Sequence, residues 1–230
     1  MTEYVLHYAP DNASLIVRLV LEELGLPYRT RLVDRRATAQ RSPAYLALNP
    51  AGRIPTLETP QGPISETAAI LLWLSETTGR MAPPPGDPAR GRFLNALLFV
   101  SNTLHAELAQ YFYLHRYGPP EAQDEMVRRW QSRLLRHFAI AEDWARDGTL
   151  LGADTPGLLD PYLCALCRWA QLYPEGRTAW FSLPDHPALH ALCTRYESRP
   201  ATEALRRAEG MGARPFTAPE PCDPPEGSAT

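Results

Sequence analysis

Apolar positions along the first third of the chain follow two different periods. Tyr4-Val5-Leu6-His7-Tyr8 is a short run of strand character. Leu15, Ile16, Leu19, Val20 and Leu24 recur at helical spacing, and Gly25 follows as a stop signal. Tyr28 to Val33 reads as a second strand. A strand, a helix and a strand joined by short loops make a right-handed crossover, so the two strands are predicted to be parallel. A short helix near Pro43 to Leu48 comes next, then a strand at Ile54 to Glu58 and a turn at Gln61-Gly62. A brief strand at Pro63 to Ser65 and a helix at Ala68 to Thr77 close the unit. The order is β-α-β-α-β-β-α, a small α/β domain of about 80 residues, taken as residues 1–80.

Farther along, the pattern is helical only. Arg92 to Tyr117 is one long amphipathic stretch, and Glu121 to Arg146 is a second, stopped by Gly148. With only a short Gly-Pro-Pro break between them, the two are predicted to form an antiparallel pair. Shorter helices at Asp160 to Leu172, Pro187 to Ser198 and Ala201 to Ala208 make residues 89–208 an all-α domain. The boundaries come from the 24 prolines, which are clustered. Met81-Ala82-Pro83-Pro84-Pro85-Gly86-Asp87-Pro88 fits neither a helix nor a central strand and reads as a linker. After Gly210, Pro215, Pro219, Pro221, Pro224 and Pro225 define a Pro-rich tail, residues 209–230, expected to trail over the surface or to be disordered.

Composition narrows the classes. The chain has 230 residues, 44% hydrophobic and 21% charged, which suits a soluble globular protein and excludes disorder throughout. No run approaches the roughly 20 apolar residues of a membrane helix, and Met1 to Leu6 lacks the start of a secretory signal. A net charge of −3 argues against a general nucleic-acid binder. Four cysteines suggest a reducing compartment, so a cytoplasmic protein is expected. Cys164 and Cys167 have CxxC spacing but lie in a helical segment on one face, which reads as core packing rather than redox work. No ligand set for a metal is apparent.

Two local motifs carry chemistry. In Asn49-Pro50-Ala51-Gly52-Arg53-Ile54-Pro55-Thr56-Leu57, a proline stands at a strand entrance after a β-branched residue. If Ile54-Pro55 is cis, the Ile54 backbone turns outward, where an extended peptide can pair with it as an added strand. An edge-strand proline with no ligand is the alternative. In Ile64-Ser65-Glu66-Thr67-Ala68, a strand gives way to a helix. Backbone N–H groups and the Thr67 hydroxyl there suit a carboxylate, and Glu66 suits an ammonium, as in an α-amino-acid head. Ser65 capping its own helix is the competing explanation.

With these elements in this order, the first 80 residues resemble the thioredoxin-like domain of the cytosolic glutathione S-transferases, and the all-α half resembles their second domain. The likeness covers about residues 4 to 208 and is nearest to bacterial beta-like or nu-like members. It implies glutathione as co-substrate. Ile54, next to Pro55, would pair with the cysteinyl backbone, while Glu66 and Thr67 hold the γ-glutamyl end. Arg53 would flank the pocket, with Arg35 or Arg36 reaching the glycyl carboxylate. Asn102-Thr103-Leu104-His105 is similar to the T-E-L-H stretch of the beta class, where the histidine faces the sulfur; a purely structural histidine is the other reading of His105. Asp160 matches the family's buried helix-capping aspartate, with Gly157 where the family has Ser or Thr. Glu107, Tyr111 and Tyr113 are candidates for the neighbouring electrophile pocket.

The departure lies at Tyr8-Ala9-Pro10-Asp11-Asn12-Ala13-Ser14, where the beta class carries a cysteine at the position of Ala13. A mixed disulfide there is therefore excluded. Glutathione's thiol, near pKa 8.5, needs a hydrogen-bond donor and a helix dipole to ionise at neutral pH. Ser14 is the first candidate donor, Asn12 the second and Tyr8 the third, with Ser14 serving only as a helix cap as the alternative. The implied function is conjugation of the thiolate to small hydrophobic electrophiles, a detoxification chemistry, by a homodimer. Glutathione-dependent disulfide reduction and a non-catalytic glutathione-binding scaffold are the alternatives.

Overall fold

Leu6 and Leu57, both completely buried, are register partners in the middle of a four-stranded sheet. They belong to a computed structural model that describes residues 4–152 and 154–229; the Met1–Glu3 part of the stretch read for a signal lies outside the described residues. The strands are β1 (Tyr4–Tyr8), β2 (Tyr28–Leu32), β3 (Thr56–Thr59) and β4 (Gly62–Ser65), in the order β2-β1-β3-β4. β1 and β2 are parallel, as the crossover rule requires, and β3 runs antiparallel to both β1 and β4. α1 (Ser14–Leu24), α2 (Pro43–Leu48) and α3 (Thr67–Thr78) complete the arrangement. Leu15, Ile16, Leu19 and Val20 are fully buried, which accounts for the helical apolar period of the sequence. Gly25 closes α1 in the left-handed conformation, where glycine carries no Cβ penalty.

The all-α part consists of α4 (Arg90–Phe99), α5 (Ala106–Phe112), α6 (Gln123–Asp147), α7 (Leu159–Leu172), α8 (Pro187–Glu197) and α9 (Pro200–Glu209). The long helix expected from Arg92 to Tyr117 is interrupted: Val100–His105 forms a π-helical turn, and Tyr113, at φ −105° and ψ 36°, leaves the helical region. Among the described residues no helix is long and apolar enough to cross a membrane.

The chain forms two compact units. The first takes in the chain through Pro84 together with Glu197–Pro215 and the segment from Glu220 onward; the second is Pro85–Tyr196 with Phe216–Pro219. The first division falls within the proline linker, between Pro84 and Pro85. The expected second boundary does not hold, because α9 packs on α1 of the first unit. Arg18 of α1 and Glu209 of α9, both buried, form an ion pair at 3.2 Å, and Arg199 pairs with Glu23 at 2.8 Å. After Gly210 the described residues form no helix or strand and most of them keep exposure, yet the segment is anchored. Asp223 N–H donates to Gly210 O at 2.9 Å, and Ser228 is buried.

Candidate active site

Strand register brings the motifs together. Tyr8 at the end of β1 pairs with Leu32 at the end of β2, His7 pairs with Thr56 at the start of β3, and Thr56 pairs with Ser65 at the end of β4. One end of the sheet therefore carries four connections. They are the turn into α1 with Asn12, the segment after β2 with Arg35, the approach to β3 with Arg53 and Ile54, and the entry to α3 with Glu66 and Thr67.

The approach to β3 is held by its own polar groups. Arg53 O accepts hydrogen bonds from Tyr45 Oη at 2.7 Å and Asn49 Nδ2 at 2.8 Å, and Tyr45 Oη lies 3.0 Å from Thr56 Oγ1. Gly52 has φ +59°, and a Cβ there would lie 2.9 Å from Gln40 O, so a side chain has no room. Ile54-Pro55 is cis. Both ladders of β3 begin at Thr56, so Ile54 stands outside them, half-buried, while Pro55 is buried and Arg53 exposed.

At α3, Glu66 is the residue before the first helical turn and has φ 70°, ψ 116°, a conformation that non-glycine residues rarely take. No side chain caps this helix, so the Ser65 capping alternative is not what the structure has. The first N–H groups of α3 remain for an incoming acceptor. Glu66 is exposed, and the neighbouring Thr67 is buried at the helix start.

The tip of α1 reorders the candidate donors. Ser14 is completely buried; its Oγ donates to Ala9 O at 3.0 Å and accepts from Ala9 N–H at 3.3 Å. Its proton is spent on the backbone of the preceding turn, so the first-choice donor is corrected to a structural residue. Asn12 is half-buried, and its Oδ1 accepts the Ala13 N–H at 2.8 Å, which leaves the Nδ2 hydrogens pointing away from that bond. Asp11, at φ 48°, donates its N–H to Glu209 Oε2 at 2.8 Å. Burial pushes the Glu209 carboxyl up to about 7 even though Arg18 opposes the shift. The sequence reading missed Glu209; its one signal was a lone acid ahead of Gly210 at the end of an amphipathic helix.

Tyr8 and Arg35 meet the chain's own end. Tyr8 Oη donates to Glu226, and the Arg35 guanidinium donates to Ala229 O. Burial, followed by the Glu226 carboxylate, holds the Tyr8 phenol well above its ordinary range.

The second unit holds the remaining candidates. His105 Nδ1 lies 3.0 Å from Tyr162 Oη, and its ring lies 5.4 Å from that of Trp169. Burial lowers its pKa to about 4, so it is neutral at physiological pH. Glu107 is buried against Arg133 and, at 3.0 Å, His137 Nε2. Tyr111 is fully buried and donates to Arg177 O at 2.6 Å. Asp160 accepts from Gly152 N–H and Gly157 N–H, each at 2.9 Å, and burial raises its carboxyl to about 6. Cys164 and Cys167 are fully buried beside Cys193; burial and contact with Cys193 push both thiols up, away from the thiolate that redox work needs. Among the described residues no group of three or more His, Cys, Asp or Glu is arranged to hold a metal.

Comparison with known proteins follows the same geometry. Residues 13–77 match the family model for the glutathione S-transferase N-terminal domain. The chain is 38% identical over 213 residues to a maleylacetoacetate isomerase of Rhizobium meliloti, covering 90% of this chain and 96% of that protein. It is 30% identical over 209 residues to glutathione S-transferase GST-4.5 of Xanthomonas campestris, covering 90% and 98%. Disulfide-bond oxidoreductase YfcG of Escherichia coli is 27% identical over 212 residues, covering 89% and 95%. Among solved structures, a glutathione transferase homologue from sulfitobacter with bound glutathione superposes with a TM-score of 0.76 at 26% identity, covering 90% of this chain and 98% of that one.

Proposed function

The chain belongs to the glutathione S-transferase family, and from that premise we propose that it attaches glutathione to small hydrophobic electrophiles. The observation that carries this reading is the convergence, at one end of one sheet, of the Ile54 backbone outside both ladders, the start of α3 with Glu66 and Thr67 and no side-chain cap, and Asn12 at the tip of α1. An extended γ-glutamyl-cysteinyl-glycine fits that set by chemistry. Its α-carboxylate meets the α3 N–H groups and Thr67, its ammonium meets Glu66, and its cysteinyl backbone pairs with Ile54. Arg53 flanks the site, and Arg35 suits the glycyl carboxylate.

Asn12 Nδ2 then donates to the sulfur. Because Oδ1 is fixed by Ala13 N–H, the carboxamide is oriented before the ligand arrives, and its hydrogen bond favours the anion. The thiol proton leaves to solvent, the sulfur lone pair forms a bond to the electrophilic carbon, and the leaving group departs with its electron pair. No step passes through His105, whose Nδ1 is occupied by Tyr162. The protein is read as a homodimer, which sedimentation would test. Titrating the thiolate absorbance of bound glutathione tests the mechanism: a pKa no lower than that of free glutathione would refute it. Maleylacetoacetate belongs in the electrophile panel because of the relative named for it.

Disulfide reduction is a second reading, supported by Ala13 in place of a thiol and by the likeness to an oxidoreductase. The thiolate would attack a disulfide sulfur, form a mixed disulfide and release the other half as thiolate. A second glutathione thiolate would attack the glutathione sulfur of the mixed disulfide, giving oxidised glutathione and releasing the remaining half as its thiolate. Turnover of a small disulfide without turnover of an aryl halide would decide for it.

A further inference from the structure

The last residues of the chain lie on the same end of the sheet as the candidate site. Glu226 accepts the Tyr8 hydroxyl, and Ala229 O accepts the Arg35 guanidinium. Between them, Gly227 sits at φ +77° against the ends of the first two strands: a Cβ there would lie 2.6 Å from Leu32 Cδ1 and 3.2 Å from Pro10 Cδ. Ser228 is buried. Upstream, Asp223 N–H donates to Gly210 O, which anchors the segment just after α9.

These contacts fall on one part of the site and not on the other. Tyr8, Pro10 and Arg35 border the places assigned to the sulfur and the glycyl carboxylate. Glu66, where the γ-glutamyl end would sit, is exposed, and Ile54 is half-buried. The anchoring groups are also of the kind a peptide ligand would want, since Arg35 already holds a peptide carbonyl at the position read for a carboxylate.

We infer that Glu226–Ala229 is an intrachain strap that closes the sulfur-to-glycyl half of the glutathione site and must lift for glutathione to bind. The inference rests on the glutathione reading above. The strap is short and its described contacts include the Tyr8–Glu226 and Arg35–Ala229 hydrogen bonds, and bound affinity is reduced by the fraction of molecules in which it is closed. The closed form favours glycine at this position: a Cβ would push the Leu32 side chain aside and the residue would hold a positive φ that L side chains rarely adopt.

Two altered chains test this. One ends at Asp223, which keeps the anchor to Gly210; the other is full length with Gly227→Val, which displaces the strap without cutting it. Calorimetry with glutathione is expected to give about tenfold tighter binding to both than to the native chain. Amide exchange in the unliganded proteins is expected to speed up in peptides covering Tyr8–Ser14 and Arg31–Arg36. Equal glutathione affinity in all three chains overturns the strap and leaves the glutathione reading intact. Binding to none of them overturns the glutathione reading, and faster exchange would then still establish the closed segment. Unchanged exchange overturns the strap in every case.

Discussion

The carboxylate of Glu209 accepts the Asp11 N–H at 2.8 Å across 198 residues of sequence. The last helix thereby fixes the turn that presents Asn12. Because Glu209 is fully buried, its charge is tolerated only through Arg18 and this amide.

That pair carries a pH signature. The Glu209 carboxyl rises from an ordinary 4.5 to about 7 on folding, chiefly through burial. A raised pKa contributes stability that is complete below 4.5 and lost as pH climbs through about 7. Glu209→Gln lacks this titration. Chemical denaturation of both proteins from pH 4.5 to 8 should show the native chain losing ground to the variant by about 3 kcal/mol across that window. Parallel curves would contradict the assignment.

Asn12 and Ser14 should separate cleanly. Asn12→Ala is expected to raise the pKa of the bound glutathione thiol by about one unit, a loss of about 1.4 kcal/mol of thiolate stabilisation, and to cost up to about 1 kcal/mol of stability because Ala13 N–H loses its acceptor. Ser14→Ala should leave that titration in place and cost about 1 kcal/mol of stability, because its hydroxyl serves Ala9. Thiolate absorbance and urea midpoints read the two effects independently.

Glu66 combines backbone strain with a proposed ligand role. Glu66→Gly relieves a side chain held at φ 70° and should stabilise the fold by about 1 kcal/mol. The same change deletes the carboxylate proposed to meet the ligand ammonium, so glutathione affinity should fall by about tenfold or more. Glu66→Gln separates the two terms: it keeps the strain and loses the charge, so weaker binding without added stability is the expected result.

His105 should be silent between pH 5 and 8. With its pKa lowered to about 4 by burial, it stays neutral over that range. The pH dependence of the conjugation rate should therefore show no limb near 6.5 that disappears in His105→Phe. Such a limb would show that the imidazole titrates in the working enzyme.

The α/β order was legible because each element carries its own period and stop, as Leu15 through Gly25 illustrates. The bend at Ile54-Pro55 and the strand-to-helix junction at Ser65-Glu66-Thr67 were legible because both are local signals. Ser14 was ranked first on position alone. A hydroxyl at a helix start can turn either to a ligand or to the preceding turn, and only coordinates show that Ala9 takes it. The α9–α1 contact and the strap depend on partners 191 and 218 residues apart, Arg18 with Glu209 and Tyr8 with Glu226, and no periodicity encodes such pairs. The proline-rich tail looked unstructured because it has little apolar area to bury; Met211 and Phe216 are nonetheless buried near its start, and polar contacts and a glycine of the right conformation hold its end.

Cys164, Cys167 and Cys193 are sealed in the interior, and Cys222 alone of the four cysteines keeps solvent exposure, one residue ahead of the Asp223 anchor. A maleimide dye would therefore attach at a single place on the native sequence. Its fluorescence anisotropy would report how tightly the stretch beside the Asp223 anchor is held, with no engineered label.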